Sequence, residues 1–457
     1  MPELGTSQRP LRAAIVGSGP SGFYAAEALF KPNFHVQVDM FERLPAPYGL
    51  VRYGVAPDHP KIKNVIKVYE KIVEREGLHF YGHVEVGKDI SVEQLQKFYD
   101  VIIFAYGAET DRHLNIPGEG LAGSHTATEF VAWYNGRPEY RDRKFDLSHE
   151  RAVIVGQGNV AVDVCRILSK SAEEFKNTDI CQHALEVLSQ SKIKEIYMIG
   201  RRGPAQAAFA PVEIREFVEL HNCDVIVDPK DLELNAASQK ELEDPRKNKN
   251  FEILKQIAQT SPKEKKRKIF LQFFKSPVEL QGQGRVQKII LGKNKLTGEA
   301  GQQKAQGTGV REEFDCGIVF RSVGYRGIAI SGVPFDEKRG VIPNVKGRVL
   351  KSSDSKEFSS GLYCVGWIKR GPSGVIGTNK ADADETAAQI FEDLLHIKPP
   401  SLSPEENVFK LLKQRNIRVI TFQDWKKIDT AEIKRGEAIG KPREKFVSVG
   451  EMLALVR

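Results

Sequence analysis

The chain contains two glycine-rich turns, each lying between an apolar strand-like run and a helix-like stretch. The first turn, Gly17-Ser18-Gly19-Pro20-Ser21-Gly22, follows the apolar run 13–16, and the second, Gly156-Gln157-Gly158-Asn159-Val160-Ala161, follows 152–155. In such a fingerprint the first glycine permits a tight turn, the second lets the backbone approach a pyrophosphate, and the third lets helix and strand pack closely. Free N–H groups at the start of the helix attract phosphate. Two copies therefore predict two βαβ units, each with a dinucleotide site, although glycine turns without a ligand are the alternative.

The residues at the end of the second strand of each unit differ in charge. The strand over 36–41 is followed by Glu42, whereas the strand over 195–199 is followed by Gly200, Arg201 and Arg202. An acid at this place suits ribose hydroxyls and an arginine suits a 2′-phosphate. We therefore expect FAD in the first site and NADP(H) in the second. The arginines lie farther along the chain than the usual ~20 residues, and a helical insertion over 171–191 accounts for the distance. A solvated basic turn is the alternative.

Length and hydropathy limit the classes of protein to which the chain can belong. A chain of 457 residues predicts two domains. It has no apolar run of the ~18 residues that a membrane span requires. Residues 1–12 lack an apolar signal core and an arginine-rich amphipathic pattern. We expect a cytoplasmic protein, or a mature mitochondrial matrix form whose presequence is gone.

Cysteine usage excludes one class of flavoprotein. The chain has five cysteines, an odd number, and no C-x-x-C pair. This pattern is typical of a reducing compartment and argues against a disulfide framework. It also argues against a thioredoxin-reductase-like enzyme, which needs a redox-active pair. The Cys and His spacing of a metal site is absent from the sequence as well.

The chain is basic, with a formal net charge of +8, and part of this charge lies in two runs, 246–249 and 263–268. A basic surface favours acidic partners, although a solvated loop is the commoner meaning of such a run. No nucleic-acid-binding motif accompanies either run, so we expect no nucleic-acid partner.

Periodicity and turn residues predict an α/β fold with two Rossmann-like nucleotide-binding domains, the NADP domain being inserted into a discontinuous FAD domain. The expected boundaries are 1–108 and 325–457 for the FAD domain and 109–324 for the NADP domain, with a tail from Pro399 that packs on the FAD domain. The remaining predicted elements are helices over 21–30, 61–77, 211–221 and 381–395, a charged segment over 234–268 that is either helical or partly mobile, and strands over 99–106, 269–274, 286–291, 314–323 and 361–366.

Several long strings carry a resemblance to a known family. They are Gly49-Leu-Val-Arg-Tyr-Gly-Val-Ala-Pro-Asp-His-Pro60, Phe130-Val-Ala-Trp-Tyr-Asn-Gly136, the second glycine turn, Ile199-Gly-Arg-Arg-Gly-Pro204 and Gly366-Trp-Ile-Lys-Arg-Gly-Pro-Ser-Gly-Val-Ile376. Over almost its whole length the chain resembles the adrenodoxin reductase family, including its bacterial ferredoxin–NADP reductases.

The resemblance implies site residues. FAD contacts fall on Ser21, Glu42, Leu50, Val86, Trp367, Gly374, Val375 and Ile376, and NADP contacts fall on Gln157, Gly158, Asn159, Val160, Arg201, Arg202, Glu213 and Gly374. His59 and Glu213 are implied near the nicotinamide and are the candidate catalytic residues. Gly17, Gly19, Pro20 and Gly22 of the first fingerprint, with Arg43 and Gly107 at strand ends, complete the predicted cofactor site. Taken alone, Glu213 fits a helix-dipole role and His59 fits a structural loop.

The function that the resemblance implies is an FAD-dependent NADPH:ferredoxin oxidoreductase that feeds monooxygenase or iron–sulfur pathways. The family docks an acidic iron–sulfur ferredoxin on basic residues of the NADP domain, and Arg246, Lys247 and Lys249 are the candidates here. A flavin-dependent NADPH oxidase or monooxygenase and a non-catalytic nucleotide-binding redox sensor are the alternatives.

Overall fold

The computed structural model describes residues 3–32, 34–402 and 407–456. The chain forms two compact units, the first from Met1–Thr110 with Gly324–Arg457 and the second from Asp111–Val323. Positions 403–406 and 457 of the predicted tail lie outside the described residues.

The first unit begins with alternating strands and helices, as the glycine turn predicts. Its first segment contains β1 (Leu11–Val16), α1 (Pro20–Leu29), β2 (Val36–Glu42), α2 (Leu50–Tyr53), α3 (Pro60–Lys63), α4 (Ile66–Val73), β3 (Leu78–Gly82), α5 (Val92–Leu95), β4 (Val101–Phe104) and, at the boundary, β5 (Thr110–Asp111).

The second unit contains both a parallel and an antiparallel part. Its elements are β6 (Ser124–Thr126), α6 (Ala127–Tyr134), β7 (Arg151–Val155), α7 (Asn159–Ser169), α8 (Gln182–Ser189), β8 (Glu195–Ile199), α9 (Pro211–Arg215), β9 (Cys223–Val227), α10 (Ala236–Glu241), α11 (Pro245–Gln259), β10 (Arg267–Gln272), β11 (Lys275–Gln281), β12 (Lys288–Thr297), β13 (Lys304–Asp315) and β14 (Ile318–Arg321).

The chain then returns to the first unit. This last segment contains β15 (Tyr325–Arg326), β16 (Asn344–Val345), β17 (Arg348–Leu350), β18 (Phe358–Cys364), α12 (Trp367–Arg370), α13 (Thr378–Asp393), α14 (Val408–Gln414), α15 (Phe422–Glu437) and α16 (Val449–Ala454).

The sheet of the first unit has seven strands in the order β16-β17-β18-β4-β1-β2-β3. Strands β3, β2, β1, β4 and β18 are parallel neighbours, with Ala13 opposite both Val38 and Val101. Strand β1 is central, so the glycine turn that follows it lies at the carboxyl edge, where ligands bind in such sheets. Buried Trp425, Ile428 and Met452 pack in the same core as β1 and α1, which places the C-terminal tail on this unit.

The second unit has a six-stranded sheet in the order β6-β14-β7-β8-β10-β9 and a three-stranded sheet β11-β12-β13. All neighbours in the larger sheet are parallel, and the smaller sheet is antiparallel. The fold class predicted from the sequence is therefore confirmed. The larger sheet of the second unit is parallel, and the sheet of the first unit is parallel except at its β16-β17-β18 edge, where the pairs are antiparallel.

Two predicted elements are wrong in their bounds. The helix expected over 61–77 is interrupted, because Asn64 and Val65 donate to carbonyls only three residues back, at Lys61 and Ile62, and the chain tightens between α3 and α4. The strand expected over 314–323 is two strands in different sheets. The chain changes sheet at Cys316 and Gly317, between β13 and β14.

Other bounds are also shorter than predicted. The helix expected over 211–221 is an α-helix only to Arg215 and continues as a 3₁₀ turn over Glu216–Glu219. The charged segment 234–268 forms α10 and α11 but ends as strand β10 from Arg267. Among the described residues, no helix combines the length and the apolar character needed to cross a membrane.

Candidate functional site

The first glycine turn has three glycines in three different environments. Gly17 adopts a φ of +107°, and a Cβ there would lie 2.7 Å from the Cα of Tyr106. A Cβ on Gly22 would lie 2.1 Å from the carbonyl oxygen of Gly17, so the helix approaches the turn as closely as a glycine permits. No heavy atom of the described residues lies within 4 Å of a Cβ built on Gly19. The second glycine thus faces open space, which fits the approach of a pyrophosphate to the backbone.

The segment around Leu50 packs directly on this turn. The Tyr48 N–H donates to the carbonyl of Ser18 at 2.9 Å, and a Cβ on Gly49 would lie 3.0 Å from the Cα of Gly19. These contacts place Leu50, the first residue of α2, beside the turn. Val86 is buried in a hydrophobic core that includes Ala14 and Val16 of β1. Gly107 has a φ of +75°, and no described atom lies within 4 Å of its Cβ position.

Glu42 is held at the end of β2 beside the same turn. One carboxylate oxygen accepts from the backbone N–H and the hydroxyl of Ser18, at 3.2 and 2.6 Å, and the other accepts from the Leu44 N–H at 3.1 Å. Burial raises the pKa of Glu42, and the hydrogen bonds from Ser18 and Leu44 act in the opposite direction. The neighbouring Arg43 forms an ion pair with Glu109 at 2.7 Å, so its guanidinium already has a protein partner.

A second turn of the same unit lies against α1. The Ser21 hydroxyl donates to the Asn379 side-chain oxygen at 3.0 Å, and Asn379 is in the first turn of α13. The indole N–H of Trp367 donates to the Ser373 carbonyl at 3.1 Å and closes the loop that carries Gly374, Val375 and Ile376. Gly374 adopts a φ of +81°, and Val375 is 63% exposed. The predicted residues Ser21 and 374–376 therefore meet around Asn379.

The second glycine turn repeats the arrangement of the first. Gly156 has a φ of +139°, and a Cβ there would lie 2.1 Å from the Ser322 carbonyl oxygen. Gly158 again faces space in which no described heavy atom lies within 4 Å of the Cβ position. Ala161, at the third place, is fully buried, so this copy accommodates one methyl group between helix and strand.

Two residues of the second turn also hold the start of α9. The Gln157 carbonyl accepts from the Ala208 N–H at 2.9 Å, and the Asn159 side-chain oxygen accepts from the Ala210 N–H at 2.7 Å. Ala210 is the N-cap of α9, and Glu213 is in its first turn. The resemblance implies a nucleotide contact for Asn159, and nothing in the sequence indicates this second link to α9. Val160 is half-buried at the start of α7.

The arginine pair follows β8, as predicted. Arg201 is exposed and Arg202 is half-buried. Within the described part of the chain, neither guanidinium has an ion-pair or hydrogen-bond partner. Both side chains are therefore available to an external anion.

The two candidate catalytic residues belong to different units. His59 immediately precedes α3 in the first unit, where its N–H donates to the Ala56 carbonyl at 3.1 Å. Glu213 lies in α9 of the second unit, and both residues are half-buried. Their predicted role at the nicotinamide stays a prediction.

Two residues of the basic run at the start of α11 form contacts within the second unit. Lys247 forms an ion pair with Glu241, and Arg246 donates to the Ala208 carbonyl at 3.2 Å. Burial of Glu241 opposes its ionisation, but hydrogen bonds from Gln303, Lys247 and Gln206 lower its pKa to about 2. Lys249 is exposed. Of the three predicted docking residues, Lys247 is the one already neutralised by a carboxylate.

Comparisons with known proteins agree with this geometry. The family model described as pyridine nucleotide-disulphide oxidoreductase matches residues 11–202, which include both glycine turns. The chain is 44% identical over 451 residues to NADPH-ferredoxin reductase FprA of Mycobacterium leprae, covering 97% of each chain. It is 42% identical to the mitochondrial NADPH:adrenodoxin oxidoreductase of Homo sapiens, covering 99% of this chain and 93% of the relative.

Among solved structures, the chain is similar to Mycobacterium tuberculosis FprA in complex with NADPH. The TM-score is 0.92 at 42% identity, over 98% of this chain and 99% of the other. The likeness therefore extends over both units and both glycine turns.

Proposed function

We propose roles for the site residues from one premise, which is that the chain belongs to the adrenodoxin reductase family of flavoprotein oxidoreductases. The protein passes electrons from NADPH through FAD to a ferredoxin. The observation that carries the assignment is the pair of glycine turns, each with a second glycine facing open space, in a chain similar to these reductases over nearly its full length.

The first unit fits FAD. Gly19 leaves room for a pyrophosphate, the start of α1 offers free N–H groups to it, and Glu42 stands at the ribose end of the turn. Leu50, Trp367 and the loop 374–376 are the residues that would hold the ring. When bound, FAD supplies the conversion of a two-electron hydride into single-electron transfers.

The second unit fits NADPH. Gly158 gives the pyrophosphate the same open approach, and the unpaired guanidinium groups of Arg201 and Arg202 suit the 2′-phosphate. Glu213 is assigned to the nicotinamide end, because Asn159 ties the start of α9 to the glycine turn. His59 is assigned to the flavin side of the same reaction. No nucleophile is required of the chain.

The partner is an acidic iron–sulfur ferredoxin, and we assign its docking surface to Arg246 and Lys249. Both residues are exposed on the amino-terminal half of α11. Complementary charge raises association rates roughly 10- to 10³-fold, and salt removes the effect. Lys247 contributes less, because Glu241 neutralises it within the unit.

The decisive experiment compares NADPH with NADH in the double variant R201A/R202A, with ferricyanide as a small acceptor. A hydrogen bond to a charged group contributes about 1.5–3 kcal/mol, so the loss of two should raise the KM for NADPH by about two decades or more and leave the KM for NADH unchanged. An equal loss with both nucleotides would mean that the arginines serve the fold.

The electron acceptor separates the alternative functions. Oxygen uptake coupled to conversion of an organic substrate would indicate a monooxygenase, and NADPH oxidation that reduces dioxygen but no ferredoxin would indicate an oxidase. A protein that binds both nucleotides but turns over with no acceptor would be a redox sensor. NADPH-dependent reduction of a ferredoxin, followed by flavin absorbance, supports the reductase.

A further inference from the structure

The backbone that carries the two arginines is clamped along its length. The Gly200 N–H donates to the Gln272 carbonyl at 2.9 Å, and the Gly200 carbonyl accepts from the Lys275 N–H at 2.9 Å. The Arg202 carbonyl accepts from the Phe274 N–H at 3.1 Å. The turn between β10 and β11 thus holds the peptide groups on both sides of Arg201.

Arg201 itself is held by a side chain from β12. The Asn294 amide nitrogen donates to the Arg201 carbonyl at 3.0 Å and to the Ser276 hydroxyl oxygen at 2.8 Å. The backbone N–H of Asn294 donates to the Phe274 carbonyl at 2.7 Å. Asn294 therefore connects the antiparallel sheet to the arginine turn, which carries Arg201 and Arg202. It also connects that sheet to Phe274, whose backbone N–H holds the turn.

The hydrogen bonds around the arginine turn hold Phe274 in an unusual backbone conformation. It is a bulky residue with a φ of +55°, a region that aromatic side chains rarely occupy. Its ring lies against Gly203, where a Cβ would come within 2.7 Å of the ring carbon Cζ. Such a conformation persists only where the surrounding contacts fix it, and the hydrogen bonds from Phe274 to Arg202 and from Asn294 to Phe274 supply them.

A fixed backbone matters at this place because the arginine side chains have no protein partner of their own. A long side chain that must find a phosphate loses less freedom on binding when its Cα is already held in place. We propose that Asn294 is a positioning residue for nucleotide choice: by fixing the Arg201 carbonyl, it strengthens the preference of the enzyme for NADPH over NADH. This inference rests on the proposed function of Arg201 at the 2′-phosphate.

The test is a double-mutant cycle with N294A, R201A and R201A/N294A, in which kcat/KM is measured for NADPH and NADH with ferricyanide. Loss of one neutral hydrogen bond corresponds to a change of roughly 3- to 10-fold. We expect N294A to lower the NADPH/NADH ratio by this factor through the KM for NADPH, with kcat unchanged. In the R201A background the same substitution should leave the ratio unchanged. Because both nucleotides are assayed on one preparation, any loss of folded protein cancels in the ratio.

The matched control is Q287A. The Gln287 side-chain oxygen accepts from the Gln283 N–H at 3.3 Å, in the turn between β11 and β12 and at the opposite end of the hairpin from Asn294. Q287A therefore removes a side-chain hydrogen bond from the same hairpin without touching the arginine turn, and it should leave the ratio unchanged. If R201A lowers the ratio but N294A does not, or if the two effects simply add, the inference is overturned while the proposed function stands. If R201A itself leaves the ratio unchanged, the assignment of Arg201 to the 2′-phosphate fails first.

Discussion

Arg52 and Glu432 form a two-point ion pair inside the first unit. The two terminal guanidinium nitrogens of Arg52 lie 2.9 and 2.5 Å from the two carboxylate oxygens of Glu432, and the residues are only 4% and 0% exposed. Arg52 belongs to α2, the short helix that begins beside the first glycine turn at Leu50. A residue of the C-terminal tail therefore fixes the segment that we assign to FAD.

Removing Glu432 should destabilise the protein and release flavin. E432A leaves the Arg52 charge buried without its partner, which typically costs about 3–5 kcal/mol. Urea unfolding followed by tryptophan and flavin fluorescence measures the loss. The exposed pair Lys88–Glu85 offers the control, since E85A should not shift the urea midpoint. A midpoint for E432A equal to that of the parent would show that the pair does not stabilise this unit.

Substitutions at two glycines of the first turn, Gly19 and Gly22, should have different effects. G19A adds a methyl group where no described protein atom lies within 4 Å, so the chain should fold normally but retain little FAD. G22A places its methyl 2.1 Å from the Gly17 carbonyl oxygen, so it should lower thermal stability even without cofactor. G120A, at another open site, is the control. Flavin content by absorbance and the melting temperature of the apoprotein separate the two effects, and an unaltered flavin content in G19A would argue against a pyrophosphate at this turn.

Asp111, the first residue of the second unit, should make stability depend on pH. Burial raises its pKa to about 6, although the hydroxyls of Thr128 and Thr126 favour the charged form. A carboxyl whose folded pKa lies above its unfolded value of about 4 stabilises the folded state at low pH, and this contribution is lost as pH rises from about 4 to about 6.

D111N should therefore melt at a higher temperature than the parent at pH 7.5 and at the same temperature near pH 4. The substitution keeps the oxygen that accepts from Thr128 at 2.8 Å and removes the charge. The expected gain at pH 7.5 is on the order of 2–3 kcal/mol. A constant difference between the two proteins across this range would mean that Asp111 does not titrate as stated.

The thiols should be inert in the folded enzyme. All five cysteines are free and buried, and burial raises the pKa of Cys223 and of Cys316 to about 12. A thiol reagent such as DTNB should titrate fewer than one thiol per native chain and all five after denaturation. Iodoacetamide should leave NADPH-dependent ferricyanide reduction unchanged. Loss of activity on alkylation of a single thiol would show that one cysteine is reactive in the folded enzyme and would contradict this prediction.

Charge reversal on α11 should slow ferredoxin reduction and flatten its dependence on salt. The variant R246E/K249E changes two exposed residues, whereas reduction of ferricyanide, which needs no docking, should change little. K192E provides the control, because Lys192 is exposed and precedes β8 at the opposite end of that strand from Arg201. If ferredoxin and ferricyanide reduction fall together, α11 is not the docking surface.

The sequence predicts those features of the site that depend on local geometry. The roles of Gly17 and Gly22 follow from how a strand turns into a helix, and the positions of Glu42 and Arg201 follow from where a second strand ends. Each of these sequence patterns lies within a few residues of the position that it predicts. In the structure, the two glycines lie in the turn after β1, and Glu42 and Arg201 lie at the ends of β2 and β8, where the patterns indicated them.

Residues that stabilise the site from distant parts of the chain leave no comparable pattern in the sequence. Glu432 lies in a charged helix and Asn294 in a polar hairpin, and neither residue type at those positions differs from an ordinary solvated surface. Lys247 shows the same difficulty in reverse, since a basic run resembles a docking surface until Glu241 is found beside it. Hydropathy also does not change where the hydrogen-bond spacing of a helix changes, so the sequence does not reveal the break at Asn64.

The split first unit has a consequence for translation. Residues 111–323 contain every strand of the second unit's parallel sheet, so the ribosome completes that unit while the first still lacks β18, the neighbour of β4. Glu432, the partner of the buried Arg52, is made later still. A nascent chain that stalls between these points carries a complete second unit and an incomplete first unit, in which β4 has no strand on the side that β18 later covers.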